Sequence, residues 1–588
     1  MHSLRKFKPK VSQFLGGTAT VLLLVGVACG AAATATPGPA ALAPGATPTP
    51  GRVATAAPVA QVAPISTPTT GPAAKVNPGK LTIMAGELAN EQFDNTFSTG
   101  QPGARYYRRI LHGFLISDNE RREMLPGIAS QWDLSSDGLT WTFTIRKGVK
   151  FHDGSELTPE DVLWTMQHTA GTQASEYAIN TTSLRLSRAM DKVELSGPDR
   201  VSLTTKQPVT ELALSASEAG NFSLHVMPKR AKLHDTEAEA SYQRDPIGAG
   251  PLKLVKHVQA DSMTFERFAD YYHQHKNGFP TDKRVNFTVL DLRLIPEEAT
   301  RVAALRAGDA DIAPVSLGSR KQVEAGGGRI VFGHEGLVVE ARHRGCWQPQ
   351  YPCHDKRVRQ ALDYAIDKEL MRDRLYGGPE VFQAKGWYTI TPSTIGYTPE
   401  LDPRPFDPAK ARQLLADAGY PGGQGFGKLI VNTWPSTAMP LQVEAAQLAA
   451  EFWKRELGLD TEVRVGESTG VTQRFRAGEL DGQILWREDE TGVDALTALS
   501  SRYSDPKSLT RTHEDPELYG VVQRALQIVD PDKRAEAQKK LYPRLRDESY
   551  HIGIGYANVP WGVGPRVLTW RPYLLSSYPS ALHTITLK

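Results

Sequence analysis

Apolar and polar positions alternate with a period of two in several short segments of the chain. This period is typical of strands that bury one face. Strands are predicted from Leu81 to Met84, from Trp141 to Ile145, from Leu429 to Val431 and from Thr461 to Val465. A hairpin turn at Ser136-Asp-Gly precedes the second of these strands.

Other segments have the apolar spacing of helices together with residues that begin or end them. Thr158 is a candidate N-cap, and glycines at 419 and 458 end two of the patterns. Because helical and strand patterns are mixed along the chain, an α/β fold is predicted. The predicted helices are Pro159–Thr169, Pro296–Ala307, Val358–Leu370, Pro408–Ala418 and Leu441–Leu457, the last being the longest pattern.

The N-terminal region has the pattern of an export signal. Four basic residues precede an apolar stretch from Phe14 to Ala28, which is short for a permanent anchor but suits a signal peptide. The stretch ends Gly-Val-Ala-Cys29-Gly, which resembles the lipobox of bacterial lipoproteins, where the cysteine is acylated. We expect residues 1–29 to be a lipoprotein signal and Cys29 to hold the protein at the outer, periplasmic or cell-surface face of the cell membrane. A secretory signal with a chance cysteine is the alternative.

Residues 30–79 are dominated by alanine, threonine and proline, which predicts a disordered tether. The composition from residue 80 onward is that of a globular protein, and its length calls for two or three lobes. The net charge of +3 becomes about −1 once the four N-terminal cations are removed. A nearly neutral protein without a basic run argues against nucleic-acid binding.

Two further cysteines, Cys346 and Cys353, lie close enough in sequence to close a short loop. In an oxidising compartment a disulfide is expected, because two thiols alone do not complete a metal shell. The histidines are scattered along the chain. No metal site and no cofactor are predicted.

The strongest family signal is the stretch from Leu125 to Val162, which reads LPGIASQWDLSSDGLTWTFTIRKGVKFHDGSELTPEDV. It resembles the signature of the family 5 extracellular solute-binding proteins, the peptide- and nickel-binding components of ABC importers. Six further segments resemble hallmarks of that family and occur in the same order. These segments are Asp245–Leu252, Phe265–Tyr272, Arg301–Ile312, Pro352–Asp367, Phe406–Pro421 and Asp530–Tyr542.

The resemblance implies a two-lobed periplasmic-binding-protein fold with a hinge, an additional smaller domain and a ligand enclosed between the lobes. It implies a monomeric receptor that performs no chemistry on its ligand. The receptor would deliver that ligand to a membrane permease powered by a separate ATPase. The implied division is lobe I at 80–113, 225–337 and 556–588, the extra domain at 114–224, and lobe II at 338–555.

A candidate ligand site also follows from the resemblance. In peptide-binding relatives a Trp-x-x-Asp motif supplies a carboxylate for the peptide's α-ammonium, while nearby backbone binds the peptide as an added strand. Here Trp486, Arg487, Glu488 and Asp489 have that spacing, although the family continuation Asp-Tyr-x-Asp-Pro is absent. A short peptide is therefore the expected ligand. A nickel chelate or an oligosaccharide is the alternative.

Two neighbours of this motif affect the expectation. Arg487 could pair with Asp489 or with Glu488 and so weaken the anchor. Trp434, which follows the strand ending at Val431, is expected to line the cleft together with Trp486 because aromatic rings wall in ligands.

An enzyme is the distant alternative. Residues Gly466–Gly470 fit Gly-x-Ser-x-Gly, with Ser468 between a predicted strand and a predicted helix, as in a hydrolase nucleophile elbow. Asp494 and either His513 or His551 follow in a permissible order. The pentapeptide falls in a variable loop of the binding-protein pattern, and no oxyanion-type glycine motif stands out. We therefore predict no catalytic residues.

Overall fold

A computed structural model describes residues 79–588, apart from 89–90, 95–104, 172–188, 211, 218–223, 232–240, 278, 280, 437–438, 440 and 504–510. The signal region, Cys29 and the predicted tether up to residue 78 lie outside the described residues. Within the described part of the chain, no helix combines the length and the apolar character needed to cross a membrane.

Fifteen strands of the described residues build two sheets. Those strands are β1 (Lys80–Ala85), β2 (Ala129–Leu134), β3 (Thr140–Ile145), β4 (Met190–Gly197), β5 (Arg200–Thr205), β6 (Leu252–Val258), β7 (Ser262–Arg267), β8 (Val289–Leu294), β9 (Ile312–Pro314), β10 (Arg329–His343), β11 (Phe382–Gln383), β12 (Lys428–Thr433), β13 (Asp460–Val465), β14 (Ile484–Glu490) and β15 (His551–Val563). Six shorter strands pair two by two: Gly113–Phe114 with His225–Val226, Ile116–Asp118 with Met124–Pro126, and Val567–Thr569 with Thr586–Leu587.

The larger sheet has 11 strands in the order β6-β7-β8-β1-β9-β15-β10-β14-β12-β13, with β11 paired to β15 off this path. Strand β1 runs parallel to β8 and β9, and β12 runs parallel to β13 and β14. The central strands β10 and β15 are antiparallel to each other and join the two parallel regions. Several strands that are neighbours in this sheet are not consecutive in the chain, and helices lie between them in sequence. The fold is therefore of the mixed α/β class that the sequence pattern predicts.

Eleven helices of six residues or more occur in the described chain. They are α1 (Arg105–Leu111), α2 (Pro159–Gly171), α3 (Glu298–Ala307), α4 (Arg320–Ala325), α5 (Lys356–Tyr364), α6 (Pro408–Asp417), α7 (Gln442–Leu457), α8 (Ser468–Ala477), α9 (Leu496–Arg502), α10 (Pro516–Leu526) and α11 (Pro531–Glu548). The longest of these is α11 rather than α7.

The predicted elements form close to their expected bounds, because local signals specify them. Strand β3 alternates half-buried and buried residues along its whole length, as its sequence requires. Helix α6 begins where the Asp407 side chain accepts a hydrogen bond from the Lys410 N–H, with Pro408 in the first turn. Helix α7 ends at Gly458, whose φ of 71° suits a glycine.

One predicted helix, Val358–Leu370, is wrong as a single element. Helix α5 ends at Tyr364, and a separate helical turn covers Lys368–Leu370. The side chain of Asp367 accepts a hydrogen bond from the Leu370 N–H, so it begins a new turn instead of continuing the first helix.

The smaller sheet has four strands in the order β2-β3-β5-β4. It packs on a hydrophobic core of its own, which includes Phe143, Phe151 and Met166 and is separate from the core beneath the larger sheet. A third core gathers around α9, α10 and α11. The loop before α5 is closed by a disulfide bond between Cys346 and Cys353, whose Cα atoms are 5.1 Å apart.

Candidate functional site

The segment that carries the Trp-x-x-Asp spacing is strand β14. Along one edge it pairs with β10 over its whole length, from Ile484 opposite His343 to Glu490 opposite Leu337. Along the other edge it pairs with β12 only at Ile484 and Leu485. In the described part of the chain, the remainder of that edge therefore has no strand partner.

Strand alternation divides the motif between two faces of the sheet. Trp486 lies on one face, fully buried in the main core, and its indole nitrogen has no hydrogen-bond partner among the described residues. The ring predicted to line the cleft is thus enclosed by the core in this structure. Arg487 and Asp489 lie on the opposite face, beside Glu340 and Val338 of β10.

Asp489 is surrounded by three guanidinium groups. Its Oδ2 accepts hydrogen bonds from Arg342 and from Arg502, the latter at 2.7 Å, and its Oδ1 lies 3.6 Å from Arg487 Nη2. Burial alone would raise the pKa of Asp489, but the charges of Arg502, Arg487 and Arg342 outweigh it and hold that pKa well below its usual range. The carboxylate is therefore ionised and already compensated by cations of the same chain.

A second carboxylate lies deeper in the same network. Glu340 accepts a hydrogen bond from Arg342 Nε at 2.7 Å and contacts Nδ1 of His551 at 2.6 Å, and all three side chains are almost completely buried. Although burial opposes ionisation of Glu340, Arg342 and His551 lower its pKa to about 2. Burial also lowers the pKa of His551, against the opposing effect of Glu340. Glu340 and Arg342 form an inner ion pair, which His551 contacts through Nδ1.

Tyr388, Tyr503 and the His551 ring pack together over this inner pair. The Tyr388 ring centroid is 4.7 Å from that of His551 and 6.3 Å from that of Tyr503. The guanidinium carbon of Arg502 lies 5.6 Å from the Tyr388 ring centroid. Tyr388 has a φ of 57°, which is unusual for a residue with a bulky side chain. This unusual backbone conformation therefore occurs within the network itself.

Four polar atoms of this region lack a hydrogen-bond partner among the described residues. They are Arg502 Nε, Arg502 Nη1 and the hydroxyl oxygens of Tyr388 and Tyr503. Burial raises the pKa values of both tyrosines, so their hydroxyl groups remain protonated donors at neutral pH. An unsatisfied buried donor is costly.

The other motif residues have partners at the free edge of β14. The Arg487 side chain lies over the Trp434 ring, 5.5 Å from its centroid, and its Nε donates to the Glu488 carbonyl oxygen at 2.7 Å. Glu488 accepts from Ser436 Oγ at 3.0 Å, and its backbone N–H donates to Gln442 Oε1. Burial raises the pKa of the Glu488 carboxyl group. Trp434 is itself buried, with 6% of its surface exposed.

Several residues of this network were not among the sequence-predicted site residues. Glu340 and Arg342 belong to the strand segment Val338-Val-Glu-Ala-Arg342, in which two charges interrupt an apolar run. Charged residues within an apolar strand are a signal, visible in the sequence, that could have indicated a buried charge pair. Arg502 and Tyr503 have no comparable signal.

The residues of the hydrolase alternative are held in other contacts. Ser468 begins helix α8 after β13, as predicted, and Glu467 caps this helix. Asp494 pairs with Arg534 and accepts a hydrogen bond from Gln538 at 2.8 Å. The His513 ring stacks on Tyr550 with centroids 3.6 Å apart, and His551 contacts Glu340. The described residues contain no group of three or more histidine, cysteine or acidic side chains arranged to hold a metal ion.

Comparison with known proteins gives related sequences over most of the chain. The glutathione-binding protein GsiB of Pectobacterium atrosepticum is 27% identical over 490 residues, which cover 80% of this chain and 85% of that protein. Heme-binding protein A of Haemophilus influenzae is 24% identical over 462 residues, which cover 75% and 80% of the two chains. These relatives are binding proteins by name.

Solved structures share the fold. The periplasmic binding protein DppA of Helicobacter pylori, in complex with the peptide STSA, has a TM-score of 0.71 at 20% identity and covers 87% of this chain and 98% of its own. NikZ of Campylobacter jejuni, in complex with Ni(L-His), has a TM-score of 0.70 at 17% identity, with 87% and 100% covered. The predicted fold class, that of the peptide-binding type of periplasmic binding protein, is confirmed.

A family model described as "Bacterial extracellular solute-binding proteins, family 5 Middle" matches residues 123–510, which is more than half of the chain. The sequence motifs, the mixed sheet and the relatives agree with this match. The chain belongs to the bacterial extracellular solute-binding proteins, family 5.

Proposed function

We propose that the protein is an extracytoplasmic receptor that captures a short peptide between two lobes and delivers it to the permease of an ABC importer. Family membership supports the role in solute capture. Relatives named for glutathione, itself a tripeptide, and a structural neighbour holding the peptide STSA support a peptide as the ligand.

The observation that carries the peptide assignment is the free edge of β14. An extended peptide adds to such an edge through main-chain hydrogen bonds, which tolerate many side chains. The Glu488 N–H and C=O groups at this edge are occupied by the side chains of Gln442 and Arg487. A peptide backbone offers an acceptor and a donor that replace both of these contacts.

Thermal unfolding in the presence of di- to pentapeptides tests this assignment. A ligand at 100 times its Kd stabilises the folded state by about 2.7 kcal/mol, which is a clear upward shift in Tm. Native mass spectrometry of the purified protein should show a co-purified peptide mass. If no peptide raised the Tm while an oligosaccharide or a nickel chelate did, the peptide assignment would be wrong.

The proposed hinge lies where β10 and β15 cross between the two parallel regions of the large sheet. Their register shifts between Gly333 and Leu337 and again between Val339 and Glu340. These irregularities adjoin the proposed boundary between lobe I, at 80–113, 225–337 and 556–588, and lobe II, at 338–555. The smaller sheet and its separate core support an extra domain at 114–224. Closure would be a population shift driven by ligand contacts made only in the closed state.

We also propose that a lipid on Cys29 holds the receptor at the membrane and that residues 30–79 act as its tether. Such attachment raises the local concentration of receptor near its permease. Replacement of Cys29 by alanine should move the protein from the membrane fraction to the soluble fraction. An unchanged distribution would contradict the lipid anchor.

The proposed receptor is monomeric and performs no chemistry on its ligand. Asp494, His513 and His551 each make other contacts, with Arg534, Tyr550 and Glu340 respectively, and this supports the view. A serine-reactive fluorophosphonate probe should leave the protein unlabelled. Labelling at Ser468 would revive the hydrolase alternative.

A further inference from the structure

The network around Asp489 has an accessible outer layer and a sealed inner layer. Side-chain exposure is 24% for Arg487, 17% for Asp489 and 13% for Arg502. It is 2% for Arg342 and 0% for Glu340. A ligand that reaches this face therefore meets the three outer residues first.

On the face of β14 that carries Asp489, the outer layer has more positive than negative charge. The inner pair Glu340 and Arg342 is balanced, whereas the outer layer sets two guanidinium groups against the single carboxylate of Asp489. Glu488 and Glu490 lie on the opposite face of β14 by strand alternation, where Ser436 and Ser577 donate to their carboxylates. The charge of Glu488 nevertheless also acts on Arg487. A partly dehydrated site makes such an excess more effective than it would be in bulk water.

The four unsatisfied atoms beside the inner pair are all able to donate, whereas on the opposite face of β14 an acceptor, Glu488 Oε2, also lacks a partner among the described residues. Arg502 uses Nη2 to bind Asp489, which leaves its Nε and Nη1 without partners among the described residues. The hydroxyl groups of Tyr388 and Tyr503 also lack hydrogen-bond partners among the described residues, and each of these tyrosines is more than 98% buried. A guanidinium group has donors and no acceptor, so the missing partner of Arg502 must be an acceptor.

We propose that this face receives an anionic group of the ligand, a carboxylate, through Arg487 and Arg502, and that Asp489 is a positioning residue for these arginines and does not anchor an ammonium. This inference rests on the proposed function and names the ligand group that the site recognises. A carboxylate fits because it offers two acceptor oxygens to the planar guanidinium fork.

Isothermal titration of the full chain with matched tripeptides tests the proposal. The probes are Ala-Ala-Ala, its N-acetyl form, which lacks the ammonium, and its C-terminal amide, which lacks the carboxylate. We expect acetylation to change the affinity by less than about threefold. Amidation should weaken it by about 10- to 100-fold, the scale of one or two charge-assisted hydrogen bonds. The reverse pattern would overturn the proposal and restore Asp489 as the ammonium anchor.

The variant Arg502→Gln connects the effect to this site. It should weaken binding of Ala-Ala-Ala by at least about tenfold and abolish the difference between the peptide and its amide, as in a double-mutant cycle. Arg464→Gln is the matched control, because Arg464 is exposed and pairs with Glu462 at the surface. Thermal unfolding without ligand checks that each variant folds, and Arg502→Lys provides a second, charge-conserving variant.

Succinate separates failure of this inference from failure of the peptide assignment. If no tripeptide binds but succinate raises the Tm of the unmodified protein and not that of Arg502→Gln, the anion site stands and the peptide assignment falls. If neither tripeptides nor succinate bind, both fall. If tripeptides bind equally well to the unmodified protein and to Arg502→Gln, only the anion site falls.

Discussion

Two buried charge clusters in this protein differ in how one cation of each, Lys368 or Arg502, is satisfied. In the first cluster Lys368 donates to the carbonyl and the carboxylate oxygens of Asp363 and to the carbonyl oxygen of Arg404. Its three ammonium donors therefore all have acceptors within the chain. In the second cluster Arg502 is bound to Asp489 through one nitrogen, and its other two lack partners among the described residues.

The difference shows that burial of charge alone does not mark a binding site. Lys368 and Asp363 are 3% and 4% exposed, and their contacts tie the segment after α5 to the loop around Arg404. Arg502 is more exposed and its hydrogen bonds are incomplete. We interpret the first cluster as structural and the second as prepared for a ligand.

The largest expected effect follows from breaking the structural cluster. Asp363→Ala removes the carboxylate that pairs with the buried Lys368 and Arg404. It should lower the free energy of unfolding by about 3–5 kcal/mol, measured by chemical denaturation. Ligand affinity of the folded fraction should change by less than about twofold. A large loss of affinity with little loss of stability would reverse the two assignments.

Acid should act on the ligand-facing network through Glu340. Because its folded pKa of about 2 lies below its ordinary value of 4.5, the stabilising effect is complete above about pH 4.5 and is lost as the pH falls towards 2. Unfolding free energies measured across this range should fall less steeply for Glu340→Gln than for the unmodified protein. Added salt should leave the difference intact, since buried pairs are poorly screened.

A smaller effect is expected from the most exposed arginine of the network. Arg487→Gln should weaken ligand binding by about three- to tenfold. This loss is smaller than that expected from removing one full charge-assisted hydrogen bond, because the Arg487 side chain remains partly hydrated. Its cost in stability should stay below about 1 kcal/mol. A loss of affinity as large as that of Arg502→Gln would mean that the two arginines contribute equally.

The smallest effect should come from an exposed ion pair. Lys356 lies 2.9 Å from Asp547, and both side chains are largely hydrated. Lys356→Ala should change the free energy of unfolding by less than about 0.5 kcal/mol and leave ligand affinity unchanged. A larger change would show that proximity of the two charges affects stability more than their burial does.

The sequence predicted the fold class, four strands, four of the five proposed helices and the location of Trp486–Asp489. These features depend on local periodicity, caps and turns, or on motifs read in order along the chain. Where two local signals competed, as at Asp367 after α5, the sequence pattern predicted a continuous helix and missed the new turn.

The surroundings of Asp489 depend on long-range packing and could not be predicted from the sequence. Arg342 is separated from it by 147 positions, and the two residues meet because β10 and β14 pair in one register. Arg502 comes from α9, at the end of the third hydrophobic core, and Tyr388 comes from a distant turn. No local pattern encodes such contacts, since they depend on how the sheet and the helices pack. The sequence could therefore supply the carboxylate, but only the packing supplied the arginines that surround it.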